Sequence, residues 1–151
     1  MIKIICIGKI KEKYTLDAIN DYLKRLSKYT KIEIIELPNY NSDNISEILI
    51  HEKELILKNI KDKDYIITLE IEGKQLDSIS FSNKLNEIFN HNSNIIFIIG
   101  GSYGIHQDIK NISNYHLSFS KMTFPHQLFR ILLLEQIYRS FKIQNNETYH
   151  K

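Results

Sequence analysis

Residues 95–104 read Ile-Ile-Phe-Ile-Ile-Gly-Gly-Ser-Tyr-Gly, an apolar run closed by a glycine-rich turn. Such a short run of β-branched and aromatic residues is typical of a strand that is covered on both faces of a sheet. Comparable runs end in a turn residue at positions 2–8, 32–38 and 65–73. Segments with apolar residues at helical spacing separate these runs. This alternation predicts an α/β fold with a mostly parallel central sheet and helices on both faces.

The remaining elements follow from the same patterns and from local capping signals. We predict a fifth strand at about residues 115–120 and a last helix from Pro125, a preset first-turn residue, to about Lys142. The helix before the fourth strand is predicted to begin at a serine cap, either Ser80 or Ser82. No repeat or linker interrupts the chain, so residues 1–151 are expected to form one domain. Further helices are predicted at about residues 12–29, 44–60 and 107–112.

The last predicted helix is apolar around most of its circumference. Nine of the fourteen positions from Leu128 to Phe141 are apolar. One sheet face covers only one side of a helix, so we expect a second copy of the chain to cover the rest and predict a homodimer through this helix. Burial inside a single chain is the alternative. Glu135 and Arg139 are four residues apart and are predicted to pair on the helix surface.

Composition excludes several classes of protein. With 42% apolar and 25% charged residues, the chain has the composition of an ordered globular protein. The single cysteine, Cys6, precludes an internal disulfide and a cysteine-based metal cluster, and the six histidines are scattered, so we predict no metal site. No apolar run approaches the roughly 20 residues of a membrane span, and the first residues lack a signal-peptide cleavage site. We therefore expect a cytoplasmic protein with no membrane partner.

Charge is unevenly distributed along the chain, although the net charge is only +2. Residues 1–31 carry eight basic and three acidic side chains, and residues 121–151 carry five basic and two acidic ones. The middle of the chain is acidic. If the two ends meet in space, they form a basic patch that favours a polyanion such as RNA; solvated charge on two helices is the alternative.

Three segments are candidates for a ligand site, because ligands of parallel sheets bind beyond the carboxyl ends of the strands. They are residues 69–73, 100–104 and 119–126. The glycines of the second segment allow close backbone approach to a ligand, although a plain strand-to-helix turn is the alternative. Their spacing matches neither a dinucleotide fingerprint nor a phosphate-binding P-loop. His126 lies near a helix N-terminus, where the helix dipole is expected to disfavour the protonated form of its ring.

The last three residues, Tyr149, His150 and Lys151, are unusual for a chain end. An aromatic ring, an imidazole and an ammonium group together suit base stacking and phosphate contacts with RNA. An ordinary frayed terminus is the alternative.

Taken together, residues 98–104, 117–126, 130–139 and the closing Tyr-His-Lys resemble the ribosomal RNA large subunit methyltransferase H family. These are small SPOUT-class enzymes that methylate N3 of pseudouridine, and the resemblance spans the whole chain. It implies that the C-terminal part passes through a trefoil knot, which periodicity cannot reveal. It also implies a homodimer that binds S-adenosylmethionine and modifies large-subunit (23S) ribosomal RNA, with the assembled ribosome as the expected substrate.

The resemblance also implies roles for individual residues. His150, Tyr149 and Arg139 form the catalytic set, in which His150 handles the N3 proton or positions the base. The same three residues and Lys151 are the expected RNA contacts, while His126 is expected to shape the cofactor loop. In a dimer, the tail of one subunit is expected to complete the site of the other. The cofactor contacts implied for this chain are Leu69, Gly100, Phe119, Ser120, Lys121, Met122, Thr123 and Phe124.

One departure from the family pattern lies near the tail, where Asn145-Asn146 stands at a position that is often glycine. Asparagine tolerates left-handed backbone, so the turn is expected to survive. Two other functions stay open at this level. One is a non-catalytic RNA-binding or assembly paralogue of the same fold. The other is a phosphate- or nucleotide-cleaving α/β enzyme that uses the glycine loop, although no nucleophile or metal-ligand set is recognisable.

Overall fold

The structure is a computed structural model that describes residues 1–151. Strands and helices alternate along the chain, as predicted. The strands are β1 (Ile2–Ile7), β2 (Ile32–Leu37), β3 (Tyr65–Gln75), β4 (Ile95–Ile99) and β5 (Tyr115–Ser118). The helices are α1 (Lys13–Leu26), α2 (Ile45–Leu57), α3 (Ser78–His91), α4 (Gln107–Ile112) and α5 (His126–Gln144).

The five strands form one sheet in the order β2-β1-β4-β3-β5, and every neighbouring pair is parallel. In the register, Ile4 of β1 lies beside Ile34 of β2 on one side and beside Phe97 of β4 on the other. Since all strands run the same way, their carboxyl ends share one edge. The strand order reverses between β1 and β4, and ligands of open α/β sheets bind at such a reversal.

Helices cover both faces of the sheet, which explains why all five residues of β4 are buried. On one face, Phe97 belongs to a large apolar cluster with residues of α1, α3 and α5. On the other face, Ile96 and Ile98 pack in a smaller cluster with residues of α2 and α4. The continuous apolar run at residues 95–99 therefore serves two cores, one on each side of the sheet.

The last helix is covered more completely by its own chain than its sequence pattern suggested. Helix α5 packs against both α1 and α3 in addition to the sheet, and Leu133, Leu134 and Ile137 are fully buried. Helices α1 and α3 of the same chain therefore cover sides of α5 that the sheet leaves open and that the sequence argument assigned to a second copy. Leu128 remains 45% exposed at its N-terminal end. The homodimer through this helix stays a prediction.

Several element boundaries differ from those expected. Helices α1 and α2 each end three residues earlier than predicted, at Leu26 and Leu57, and β5 ends at Ser118 instead of residue 120. Helix α3 is capped by Asp77, whose carboxylate accepts a hydrogen bond from the amide of Ser80 at 2.7 Å, so the predicted serine caps are wrong. Ser82 instead lies buried inside the helix and donates to the carbonyl of Ser140. Strand β3 continues past Gly73, because Leu117 of β5 pairs with β3 on both sides of a bulge. Helix α5 begins one residue later than predicted and ends at Gln144.

Candidate functional site

The segments that follow β3, β4 and β5 converge at the carboxyl edge of the sheet and enclose a cavity of about 340 Å³. These are the three segments that the sheet argument identified. The first residues of α5 close the cavity from a fourth side. The apolar part of its wall includes Leu69, Ile99, Leu117, Phe119 and Phe129.

The glycine loop at residues 100–104 folds tightly on itself. The amide of Gly104 donates to the carbonyl of Gly101 at 3.1 Å, and Gly104 has a φ of +83°. A Cβ atom on Gly100 would lie 2.5 Å from the carbonyl oxygen of Gly104. Any side chain at position 100 would therefore open the loop, which is a stronger effect than filling the space beside it.

The loop between β5 and α5 is held by local hydrogen bonds and aromatic contacts. The hydroxyl of Ser120 accepts from the amide of Met122 at 3.0 Å, and Ser118 donates to the carbonyl of Ser120 at 3.1 Å. The ring of Phe129 lies 4.9 Å from that of Phe119 and 6.3 Å from that of Phe124, measured between centroids. These contacts attach the loop to the first turn of α5.

Seven of the eight residues implied as cofactor contacts line this cavity, and only Lys121 does not. Their role in binding a cofactor stays a prediction. Other lining residues include Glu70, Tyr103 and Lys110. Glu70 and Tyr103 lie within the candidate segments 69–73 and 100–104, although neither was singled out. Lys110 gave no sequence signal, since it reaches the cavity from helix α4.

Glu70 is the centre of a polar network beside the cavity. Its carboxylate accepts a hydrogen bond from the hydroxyl of Thr68 at 2.6 Å, contacts the ring of His116, and lies 3.4 Å from the ammonium of Lys110. Partial burial opposes ionisation, but the hydrogen bonds from Thr68 and His116 and the nearby positive charges outweigh it, so the pKa of Glu70 is lowered. The cavity therefore has one firmly ionised carboxylate in its wall.

His126 also lines the cavity, at the first position of α5. Burial, followed by the positive charge of Arg130, lowers its pKa below the ordinary value. The direction agrees with the sequence expectation, whereas the causes are burial and a neighbouring guanidinium. A neutral imidazole at this place fits a role in shaping the wall.

Arg130 ties the start of α5 to the ends of β1 and β2. It is 3% exposed, and its guanidinium donates to Glu36 at 2.6 Å and to the carbonyl of Gly8 at 2.6 Å. Glu36 also accepts from the amide of Ile10 at 2.8 Å. Since α5 carries one wall of the cavity, this buried ion pair fixes that wall relative to the sheet.

Of the four residues implied for catalysis and RNA contact, Arg139, Tyr149 and His150 lie together, but not in the cavity. Arg139 pairs with Glu135 at 2.6 Å, as predicted, and its guanidinium lies 4.7 Å from the centre of the Tyr149 ring and 3.2 Å from Nδ1 of His150. None of Arg139, Tyr149, His150 or Lys151 lines the cavity.

His150 instead lines a separate cavity of about 510 Å³, which shares Leu117 and Phe119 with the first one. A wall made of these two side chains therefore separates His150 from the first cavity within one chain.

The tail is fastened to its own chain by Glu147. This carboxylate accepts from the hydroxyl of Tyr29 at 2.7 Å and from the ammonium of Lys142 at 2.5 Å. Those hydrogen bonds, the one from Lys142 first, lower the pKa of Glu147 to about 2. Asn146 adopts a φ of +54°, so the left-handed turn expected at the two asparagines is present.

Two classes of feature are absent from the chain. No group of three or more His, Cys, Asp or Glu side chains is arranged to hold a metal ion. No helix combines the length and the apolar character that crossing a membrane requires.

Comparison with known proteins gives a consistent result. Residues 1–150 match the family model SPOUT_MTase, described as a predicted SPOUT methyltransferase. A protein of Clostridium tetani named ribosomal RNA large subunit methyltransferase H is 53% identical over 157 positions that cover 99% of both chains. A protein of Methanococcus maripaludis given the same name provisionally is 55% identical with the same coverage. A solved structure of a probable methylase family protein from Haemophilus influenzae has a TM-score of 0.60 at 12% identity, covers 99% of this chain and 70% of its own, and shows the fold alone.

Proposed function

The chain belongs to the SPOUT methyltransferase family, and we propose on that premise that it methylates N3 of a pseudouridine in 23S ribosomal RNA with S-adenosylmethionine as the methyl donor. The observation that carries the proposal is the convergence of three loops on one cavity lined by seven of the eight implied cofactor residues. The names of the relatives from Clostridium tetani and Methanococcus maripaludis support ribosomal RNA as the substrate class. This substrate places the proposed activity in the cytoplasm.

The cavity residues fit S-adenosylmethionine. A volume of about 340 Å³ lies within the usual range of roughly 300–1,000 Å³ for small-molecule sites. Leu69, Leu117 and Phe119 offer apolar surface for a purine ring, and the tight glycine loop presents backbone groups. Glu70 supplies an ionised carboxylate for the positive charge or the hydroxyl groups of the ligand. When bound, this cofactor supplies a methyl group already activated on a sulfonium centre, so the protein mainly has to align the reactants.

The proposed role of His150 follows from its contact with Arg139. A guanidinium can only donate hydrogen bonds, so Nδ1 of His150 must act as the acceptor in their 3.2 Å contact. The proton of the neutral ring then resides on Nε2. In this arrangement, His150 donates from Nε2 and can stabilise the negative charge that the uracil ring develops as N3 loses its proton to solvent water. The stacked Tyr149 keeps the guanidinium of Arg139 in place.

The separation of this cluster from the cavity supports a shared site in a homodimer. Leu117 and Phe119 stand between His150 and the cavity of the same chain. We propose that the tail of one subunit completes the cavity of its partner across an interface formed by α5. The half-exposed Leu128 lies beside the cavity end of that helix and is available for the interface.

A trefoil knot in the C-terminal part belongs to the same proposal. Strand β5 lies at one edge of the sheet, next to β3. The chain then returns across the carboxyl edge to α5, where Arg130 contacts Gly8 after β1 and Glu36 in β2. A return of this kind over the loops of β3 and β4 is compatible with a knotted path.

Methyl transfer to ribosomes tests the proposed function. Large ribosomal subunits from a strain that lacks this gene are incubated with the protein and radiolabelled S-adenosylmethionine, and the RNA is then analysed by mass spectrometry. We expect one added methyl group on a pseudouridine, whereas subunits from the parent strain should accept none. RNA binding without methyl transfer would instead favour the non-catalytic paralogue.

A further inference from the structure

A second, polar cavity lies on the other side of the glycine loop. Its volume is about 610 Å³, and it is bounded by the segment between β2 and α2, by one face of α2, and by Ser102 and Tyr103 of the loop. These two loop residues also line the first cavity. A ligand in the second cavity would therefore touch the same loop as the cofactor.

Glu52 forms the floor of this second cavity and has no partner. It is 5% exposed, and neither a hydrogen-bond donor nor a cation contacts its carboxyl group. One carboxyl oxygen lies 2.8 Å from the place where a Cβ atom on Gly101 would stand. Burial raises its pKa, because nothing within the chain stabilises the charged form. The carboxyl group thus lines the cavity with no partner from the chain, and a ligand in the cavity can supply hydrogen bonds to it.

Two side-chain amides of the cavity are also without partners, whereas the hydroxyl of Ser42 donates to Glu47. The side-chain amides of Asn39 and Asn41 make no hydrogen bond within the chain, although both line the cavity. Two aromatic rings complete its wall: Tyr40 is 39% exposed and Tyr103 is 54% exposed. Tyr40 stacks on His51 with 4.3 Å between ring centres, which fixes the plane of its ring. The cavity therefore combines flat aromatic surface with groups that both donate and accept hydrogen bonds.

Basic side chains that favour a polyanion lie on a segment that begins beside the cavity. Gly8 lies against Asn39, with the place of a Cβ atom 3.4 Å from the amide nitrogen. The chain continues from Gly8 into Lys9, Lys11 and Lys13, which are exposed and form no ion pair. These ammonium groups, on the segment that follows Gly8, attract phosphates and repel a basic side chain of a protein partner, whereas Asp43 is an acidic residue in the cavity wall itself.

We propose that this second cavity binds an unpaired nucleobase of the RNA substrate, with the base stacked on Tyr40 or Tyr103 and its hydrogen-bonding edge paired with the Glu52 carboxyl group. Aromatic stacking and recognition of base edges by polar side chains are the usual means of binding single-stranded RNA. This proposal rests on RNA as the substrate of the proposed function. It adds a base-binding site that shares the glycine loop with the cofactor cavity.

The binding of short RNA tests the site without any need for methyl transfer. Fluorescein-labelled hexaribonucleotides of adenosine, cytidine or uridine are titrated with the full-length protein and followed by fluorescence anisotropy. We expect at least one of them to bind. Glu52→Leu, which removes both polar atoms, should weaken the tightest complex about tenfold. Tyr40→Ala should weaken it by a similar factor, whereas Tyr40→Phe should keep the stacking surface and most of the affinity.

Glu52→Gln tests which hydrogen bonds the base makes. The amide keeps one acceptor oxygen and adds a donor, so affinity for RNA should stay within about twofold of the unaltered protein if the base presents both a donor and an acceptor. Loss of binding in Glu52→Gln equal to that in Glu52→Leu would show that both carboxyl oxygens accept hydrogen bonds from amino or imino groups of the base, which keeps the site. Absence of binding by all three oligonucleotides, or unchanged binding in Glu52→Leu, would overturn the proposal.

A stability measurement serves as a control for folding, and the methyl-transfer assay separates the base-binding site from the proposed methyltransferase function. The midpoint of thermal unfolding of Glu52→Leu should not fall, because the Glu52 carboxyl group makes no hydrogen bond or ion pair within the chain that leucine would lose. A failed methyl-transfer assay combined with Glu52-dependent RNA binding would refute the enzymatic function and keep the site. Methyl transfer that is independent of Glu52 and Tyr40 would keep the function and refute the site.

Discussion

The loops at the carboxyl edge of the sheet and the C-terminal tail both carry residues implied for function. Only the loop residues come together in one cavity within a single chain. Seven implied cofactor residues line a common cavity. Arg139, Tyr149 and His150 instead contact one another and α5, outside that cavity. The cofactor half of the proposed site is therefore self-sufficient, whereas the half that would meet the RNA base needs a second subunit or a movement of the tail.

The largest effect is expected from Gly100→Val. A Cβ atom at this position would clash with the backbone of Gly104 at 2.5 Å, so the loop cannot keep its shape. We expect the affinity for S-adenosylmethionine, measured by calorimetry, to fall at least a hundredfold. The contacts among Arg139, Tyr149 and His150 should be unchanged, because none of them involves this loop.

A matched control for Gly100→Val is Asn83→Ala, at an exposed position of α3. It should bind the cofactor like the unaltered protein. Unchanged cofactor affinity in Gly100→Val would show that the cavity is misassigned.

Deletion of Tyr149–Lys151 should abolish methyl transfer and leave cofactor binding intact, in contrast to Gly100→Val. Since these residues lie outside the cavity, affinity for S-adenosylmethionine should stay within about twofold, whereas methyl transfer to ribosomes should fall at least a hundredfold. A truncated protein with full activity would contradict the assignment of the tail.

Mixing the two variants tests whether sites are shared. A truncated subunit keeps an intact cofactor cavity, and a Gly100→Val subunit keeps an intact tail. If the tail acts across the dimer, the mixture should regain activity that neither variant has alone. A mixture as inactive as its parts, under conditions where mixed dimers are shown to form, would mean that each tail serves its own chain.

An intermediate effect is expected from Arg130→Met. This change removes a buried guanidinium and leaves Glu36, 2.6 Å away, without its charge partner. Breaking a buried ion pair costs several kcal/mol, and because Glu36 is partly exposed we expect a loss of about 3 kcal/mol in the free energy of unfolding. Urea denaturation measures it.

Glu36→Gln is the matched variant for Arg130→Met. Glu36→Gln keeps a hydrogen-bond acceptor and a similar shape, so it should lose less stability than Arg130→Met. Equal stability of Arg130→Met and the unaltered protein would show that the pair does not hold α5 to the sheet.

The smallest effect concerns the attachment of the tail through Glu147. Its pKa of about 2 lies below the ordinary value of 4.5, so the native state favours the ionised form. The stabilisation is therefore complete above about pH 4.5 and is lost as the pH falls through about 2. The carboxyl chemical shift of Glu147, followed by NMR, should titrate near pH 2. In Tyr29→Phe, which removes one of its hydrogen bonds, it should titrate at a higher pH. A midpoint at the ordinary value in both proteins would mean that the tail is not held there.

The chain pattern predicts the loops better than the tail for a physical reason. Leu69, Gly100 and Phe119 each follow a strand, and parallel strands bring their carboxyl ends to one edge whatever else the fold does. The pairing of Arg130 with Glu36 joins residues 94 positions apart, and no local pattern encodes it. The cap of α3 was mispredicted because Asp77 and the two serines are all good capping residues.

The position of the tail could not be predicted from sequence either. It depends on long-range contacts such as that between Tyr29 and Glu147, which are 118 positions apart. The burial of α5 is a related case. Its apolar circumference is visible in the sequence, but whether α1, α3 or a partner covers each side depends on the tertiary arrangement.

The structure of the protein with S-adenosylmethionine tests the central claim most directly. We predict that the ligand lies among Leu69, Gly100 and the segment 119–124, with Glu70 beside it. A ligand bound elsewhere on the chain, or no binding at millimolar concentration, would contradict the account.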